Sequence, residues 1–209
     1  RVVYTAWVNE QGGFEADLTV TRLAQDKFLV VVGENSHGHT EMRMRRNIDA
    51  NEFVTVTDIT PGITQINVHG PKSRELIQRI SFADLSDEAF AYMSCQEIDV
   101  GYFNVLALRV TYVGELGWEL HIPTLHAVQV YDLLMDAGKE LGVRNAGMQT
   151  LSSLRLEKAY RDFGVDVDNT ENPIEAGLGF AVKLDKPGGF IGRDALAKIK
   201  AQGIPKTRM

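Results

Sequence analysis

Nine residues near the start, Phe14–Arg22, alternate between apolar and polar: Phe14, Ala16, Leu18 and Val20 on one side, Glu15, Asp17, Thr19 and Thr21 on the other. A period of two fits a strand with one buried face and does not fit a helix. The stretch before it, Val2–Val8, is a continuous apolar run. Asn9-Glu10-Gln11-Gly12-Gly13 between them is turn chemistry, because glycine reaches positive φ without penalty. The two runs therefore form a hairpin, and residues 27–33 (KFLVVVG) add a third strand.

Further on, the pattern changes period repeatedly. Residues 35–50 are polar and predict a helix; residues 53–58 and 63–68 predict two strands split by Pro61-Gly62. Gly70-Pro71 opens a helix with Leu76, Ile77 and Ile80 as its apolar stripe. Residues 102–112 predict the longest strand, with Leu106, Leu108, Val110 and Tyr112 along one side. The loop 113–117 then reverses the chain into a strand over 118–122. Thr124 is placed to cap the next helix, whose expected buried stripe is Val128, Tyr131, Leu134, Met135 and Leu141, with Gly142 ending it. A second helix is expected over 147–160, an extended apolar segment over 176–184 and a terminal helix over 192–201. Antiparallel strands interleaved with helices define an α+β class.

With 209 residues the chain suits one large domain or two small interlocked ones, and its 44 % apolar content is that of a globular protein. A net charge of -6 argues against a general nucleic-acid binder, which needs a basic surface. No apolar run approaches the roughly 20 residues of a membrane helix. One cysteine, Cys95, excludes an internal disulfide and a cysteine-rich zinc site and suits a reducing compartment, bacterial cytoplasm or mitochondrial matrix. The histidines form no metal motif: His37 and His39 are two apart and do not share a helical face. Neither a GxGxxG nor a GxxxxGK phosphate loop is present. The strand-like opening at Arg1 and the ending AQGIPKTRM lead us to expect further sequence on both sides.

Three places carry groups suited to chemistry, each with a plain alternative. Asp17 sits mid-strand, where spacing alone makes it a solvated charge on the polar face. In TYVGELGWEL, Trp118, Leu120 and Ile122 share one face, leaving Glu119 and His121 on the other, with Glu115 in the loop; by itself this is a surface turn. In LSSLRLEKAY, Ser152, Arg155 and Ala159 share a helical face while Leu151 and Leu154 point inward. Arg155 either clamps a ligand carboxylate or pairs with a neighbouring acid.

Taken in order, these segments resemble the aminomethyltransferase (glycine-cleavage T-protein) family. YTAWVNEQGGFEADLTVTRL resembles its GG-x-x-D-D-L-x-V hairpin, TYVGELGWEL its G-Y-T-G-E-x-G-x-E segment, and LSSLRLEKAYRDFG its R-D-S-L-R-L-E-A-G segment. NPIEAGLGFAVK and GGFIGRDAL resemble its closing P-x-E-A-G-L-x-W and F-I-G-R-x-A-L blocks. EADLTVTRL, RLEKAYRDFG and EAGLGFAVK look most like the folate domain fused behind a flavin domain in dimethylglycine and sarcosine dehydrogenases. The resemblance implies an aminomethyltransferase folate-binding domain over residues 1–200, lacking its N-terminal part, with 201–209 a tail leading to an absent C-terminal barrel.

It also implies an enzyme that binds tetrahydrofolate and accepts a methylene unit from an N-methyl amine or aminomethyl donor, forming 5,10-methylenetetrahydrofolate. FAD would belong only to a covalently linked upstream flavin domain. Asp17 matches the family's carboxylate beside the folate amines; Tyr112 and Glu119 match residues that contact the pterin; Arg155 and Glu175 match further positions of the folate site. Departures are Ser152 where the family commonly has Asp, and Val113 where it has Thr. A folate-dependent demethylase and a non-catalytic regulatory module share the fold. Iron–sulfur assembly relatives carry K-G-C-Y-x-G-Q, where this chain has Lys158-Ala159-Tyr160-Arg161 without cysteine.

Overall fold

The computed structural model describes residues 1–203. In chain order the elements are β1 (Val2–Val8), β2 (Phe14–Arg22), β3 (Phe28–Val32), α1 (His37–Arg46), β4 (Ile63–His69), α2 (Ser73–Gln78), β5 (Cys95–Val100), β6 (Phe103–Leu108), β7 (Gly117–Pro123), α3 (Ala127–Gly138), α4 (Met148–Glu157) and α5 (Arg193–Gln202). They fall into two units interleaved in sequence: residues 57–160 with the first two residues, and residues 3–56 with 161 onward. The mixture of helices and antiparallel sheets is the expected α+β class.

In the second of these units the sheet order is β1-β2-β3. Asn9 makes the first turn: its Oδ1 accepts from the N–H groups of Gln11 and Gly13 at 3.0 and 2.9 Å. β2 pairs antiparallel with β3, Leu18 opposite Val32 and Arg22 opposite Phe28. Phe14, Ala16 and Leu18 are buried as the alternation requires, but further along Thr21 is buried and Val20 is only half-buried. The polar face is not open to water. Glu15 pairs with His39 of α1 at 2.7 Å and with Arg43 at 3.6 Å, so a helix covers that side of the strand. Phe14 packs with Val167, Ala176 and Leu178, and Val8 with Ile174 and Leu196, so irregular chain after residue 161 completes the core.

The other unit is a four-stranded sheet in the order β4-β7-β6-β5, all pairs antiparallel. Its main core gathers Val68, Ile98, Val105, Trp118, Leu120 and Ile122 from the strands, with Leu76 and Ile77 of α2 and Val130 and Leu134 of α3. Each fully buried side chain of this size contributes roughly 1.5–3 kcal/mol. Arg74 and Arg109 lie over the Trp118 ring, 6.0 and 5.7 Å from its centroid, and share Asp87. Gly101, at φ 60°, opens the two-residue hairpin between Val100 and Phe103, as a mirror-image turn demands.

Several expected elements differ. Residues 53–58 form no strand: Phe53 is fully exposed and Val54 half exposed, so β-forming composition without a partner strand leaves extended chain. The 102–112 strand ends at Leu108, and β2 is the longer one. Residues 176–184 are turns with one 3-10 segment, Gly179–Ala181, because Gly177 at φ 76° bends the apolar run. Thr124 does not cap α3; its hydroxyl donates to the Pro61 carbonyl at 3.2 Å. The buried stripe of α3 is Val130, Leu134 and Gly138, while Val128 and Tyr131 are exposed. In α4 the buried residue is Arg155, with Leu151 and Leu154 only half-buried. α5 runs past residue 200 to Gln202, and residues 204–209 of the expected tail lie outside the described residues.

Candidate functional site

Asp17 and Glu175 belong to one unit; Tyr112, Glu119 and Arg155 belong to the other. Each group is built differently.

Asp17 is half-buried on β2, on the face that α1 covers at Glu15. The Tyr4 hydroxyl of β1 donates to its Oδ2 at 3.4 Å, and the Tyr4 ring stacks on Phe180 with centroids 6.5 Å apart. Burial raises the Asp17 carboxyl from 3.8 to about 6; the Tyr4 hydrogen bond opposes the shift and the Asp162 carboxylate reinforces it. The segment carrying Asp162 is fixed beside β2, since Phe163 packs on Phe14 at 6.4 Å and the Asp162 N–H donates to Asp166 Oδ2 at 3.0 Å. With a pKa of about 6, roughly one Asp17 in ten is protonated at pH 7. An ordinary aspartate is protonated about a hundredfold less, so this one is suited to both giving and taking a proton.

Glu175 follows Asn172-Pro173 in a turn in which Asn172 Oδ1 accepts from the N–H groups of Ile174 and Glu175 at 3.0 and 3.1 Å. No hydrogen bond joins the Glu175 carboxylate to Asp17 or to any other described residue.

In the sheet of the other unit, the odd positions of β7 and β4 make a polar face behind the apolar core. Asn67 stands opposite Glu119 and Gln65 opposite His121, while Gln65 Nε2 donates to Asn67 Oδ1 at 2.8 Å. The Glu119 side chain is 14 % exposed and that of His121 6 %. Glu119 Oε2 and His121 Nε2 are 3.8 Å apart, too far for a hydrogen bond, and His121 Nε2 is buried with no hydrogen-bond partner among the described residues. His69 closes the row. Burial lowers its pKa against the opposing pull of the Val110 carbonyl and Glu119, so its ring is neutral near pH 7 and its Nε2–H donates to Val110 O at 3.3 Å. Gly117, opposite His69, has room for no side chain: a Cβ would lie 2.4 Å from the Val68 carbonyl oxygen.

Tyr112 is half-buried and stacks on Tyr160, with centroids 6.2 Å apart and planes 20° from parallel. The end of α4 places Tyr160. Ala159 adopts φ 55°, the Ala159 N–H bonds to Leu156 O at 2.9 Å and the Tyr160 N–H to Arg155 O at 3.0 Å. This is a Schellman ending with alanine in the left-handed position usually held by glycine. The buried Arg155 guanidinium donates from Nη1 to the Tyr160 carbonyl at 3.0 Å. Arg155 thus holds the residue that stacks on Tyr112. Sequence reasoning marked Asp17, Tyr112 and Glu119 but passed over Tyr4, Tyr160 and the orphaned nitrogen of His121. The odd-face placement of His121 beside Glu119 was the one available signal for these.

Asp17 and Glu175 in one unit, and Tyr112, Glu119 and Arg155 in the other, are the positions that the aminomethyltransferase resemblance marked. The GCVT N-terminal domain family matches residues 1–186, and the chain belongs to that family. It is 43 % identical over 199 residues to 4-methylaminobutanoate oxidase (formaldehyde-forming) of Paenarthrobacter nicotinovorans, covering 95 % of this chain and 24 % of that protein. It is 37 % identical to human mitochondrial dimethylglycine dehydrogenase, covering 94 % of this chain and 23 % of the relative. The chain therefore spans about a quarter of the length of these curated relatives. The fold matches the glycine cleavage system aminomethyltransferase T of Bartonella henselae, with a TM-score of 0.81, 23 % identity, and 98 % of this chain and 54 % of that chain covered.

Proposed function

We propose that residues 1–200 form a tetrahydrofolate-binding one-carbon transfer domain that receives a methylene unit derived from an N-methyl amine and yields 5,10-methylenetetrahydrofolate. The observation that carries this reading is Asp17, a shielded carboxyl whose pKa of about 6 lets it exchange protons near neutral pH.

The residues present fit such a ligand. When bound, tetrahydrofolate supplies the two nitrogens that take up the one-carbon unit. The two oxygens of Glu119 accept from adjacent N–H groups of a pterin ring, and the stacked Tyr112–Tyr160 pair offers aromatic surface. Asp17 Oδ2 is held by the Tyr4 hydroxyl, which leaves Oδ1 to give or take a proton at a ligand amine. Ionised, the same carboxylate stabilises developing positive charge at nitrogen. Arg155 acts through Tyr160, and Glu175 is a second carboxylate assigned to the ligand. Oxidation of the amine belongs to a flavin domain of a longer polypeptide, in the bacterial cytoplasm or the mitochondrial matrix; the similarity to amine dehydrogenases and oxidases supports that arrangement.

The test supplies the full polypeptide that contains these residues with an N-methyl amine and tetrahydrofolate, followed by mass analysis of the folate product. A methylene adduct is expected. A methyl adduct would instead identify a demethylase, and no binding at millimolar tetrahydrofolate would end the folate reading.

A further inference from the structure

His121 is hard to explain as a structural residue. It sits in β7 two positions from Glu119, on the polar face of its sheet, and its side chain is 6 % exposed. Its Nε2 is sealed from water and meets no hydrogen-bond partner among the described residues. A buried polar atom left in that state lowers stability, and native proteins accept the loss chiefly where a ligand or an ordered water completes the bond. The neighbours do not complete it. Glu119 Oε2 stands 3.8 Å away; across β4, Gln65 is engaged with Asn67; and Leu106 of β6, opposite His121, has no polar side chain. Glu119 and His121 therefore line one face as two acceptor oxygens followed by one ring nitrogen able to donate.

We propose that His121 is a specificity-determining residue of the ligand site: its Nε2–H donates to the ring carbonyl that adjoins the two N–H donors held by Glu119. The inference rests on the folate reading above. A pterin presents, consecutively around its pyrimidine ring, an amino group, a ring N–H and a carbonyl, that is donor, donor, acceptor. The complement is acceptor, acceptor, donor, which a glutamate and an adjacent imidazole Nε2–H supply. Meeting all three groups selects a pterin over a heterocycle that lacks the carbonyl, because the mismatched ligand leaves the imidazole nitrogen buried and unpaired.

The test uses the full polypeptide, tetrahydrofolate labelled with carbon-13 at the ring carbonyl, and the variants His121→Leu and His121→Gln. His121→Leu is expected to weaken tetrahydrofolate binding about ten- to a hundredfold. His121→Gln, which keeps an N–H donor on a side chain of similar reach, is expected to restore most of the affinity. The labelled carbonyl stretch is expected at lower frequency bound to the wild type than bound to His121→Leu, and the ligand-free Leu variant is expected to be no less stable than wild type. A purely structural histidine would lower stability and leave the carbonyl frequency unmoved. Unchanged affinity in His121→Leu, or the same stretch in both proteins, overturns this inference alone. If His121→Leu does not fold, a His121→Gln protein with wild-type stability but no shifted carbonyl overturns it as well. Failure of the wild type to bind tetrahydrofolate overturns the folate reading and this inference together.

Discussion

Replacing Asp17 by Asn is expected to make the protein more stable than wild type at neutral pH, an advantage that disappears in acid. The Asp17 carboxyl is raised from 3.8 to about 6, mainly by burial. A shift of about two units corresponds to roughly 3 kcal/mol of preference for the protonated form in the folded state. For an acid with a raised pKa, that preference favours folding fully below pH 3.8, declines between 3.8 and about 6, and is gone above it. The folded wild type therefore keeps an unfavourably placed anion at pH 8, which asparagine removes while its Oδ1 can still accept from Tyr4. Urea unfolding of both proteins from pH 4 to pH 8 reads the difference. The variant should gain about 1–3 kcal/mol over wild type between those limits, most of it below pH 6.5. A stability difference that does not change with pH would refute the reasoning, because Asp17 would then titrate alike in the folded and unfolded chains.

Ala159 holds φ 55° at the end of α4, so Ala159→Gly should stabilise the protein by about 1 kcal/mol, seen as a higher urea midpoint at constant slope; a lower midpoint would contradict the strain. Gly117→Ala forces a Cβ to within 2.4 Å of the Val68 carbonyl oxygen and onto the His69 ring. It should cost about 2–3 kcal/mol in thermal or urea unfolding and disturb the β4–β7 edge that carries Glu119, whereas a neutral effect would show that this edge yields freely.

The sequence carried most of the strands because their signal is local. Phe14, Ala16 and Leu18, and Trp118, Leu120 and Ile122, alternate over a buried face, and each is buried in the fold. Readings failed where burial depends on a distant partner. Residues 53–58 have the composition of a strand but nothing to pair with. The apolar residues of α3 allow more than one helical phase, and packing on α2 and β7 selects Val130, Leu134 and Gly138 over Val128 and Tyr131. The shielding of Asp17 was invisible to spacing, because α1 and the segment around Asp162 reach β2 from elsewhere in the chain. The bond from Arg155 to the Tyr160 carbonyl was likewise not legible in the spacing, because it depends on how α4 ends.

The central claim is that Asp17 moves protons at the ligand rather than merely binding it. The most direct measurement compares Asp17→Asn with wild type in the full polypeptide for both tetrahydrofolate affinity and the single-turnover rate of methylene-folate formation. Loss of proton exchange predicts a rate lower by about a hundredfold or more, with affinity changed only a few-fold. A variant that turns over at the wild-type rate would contradict the account.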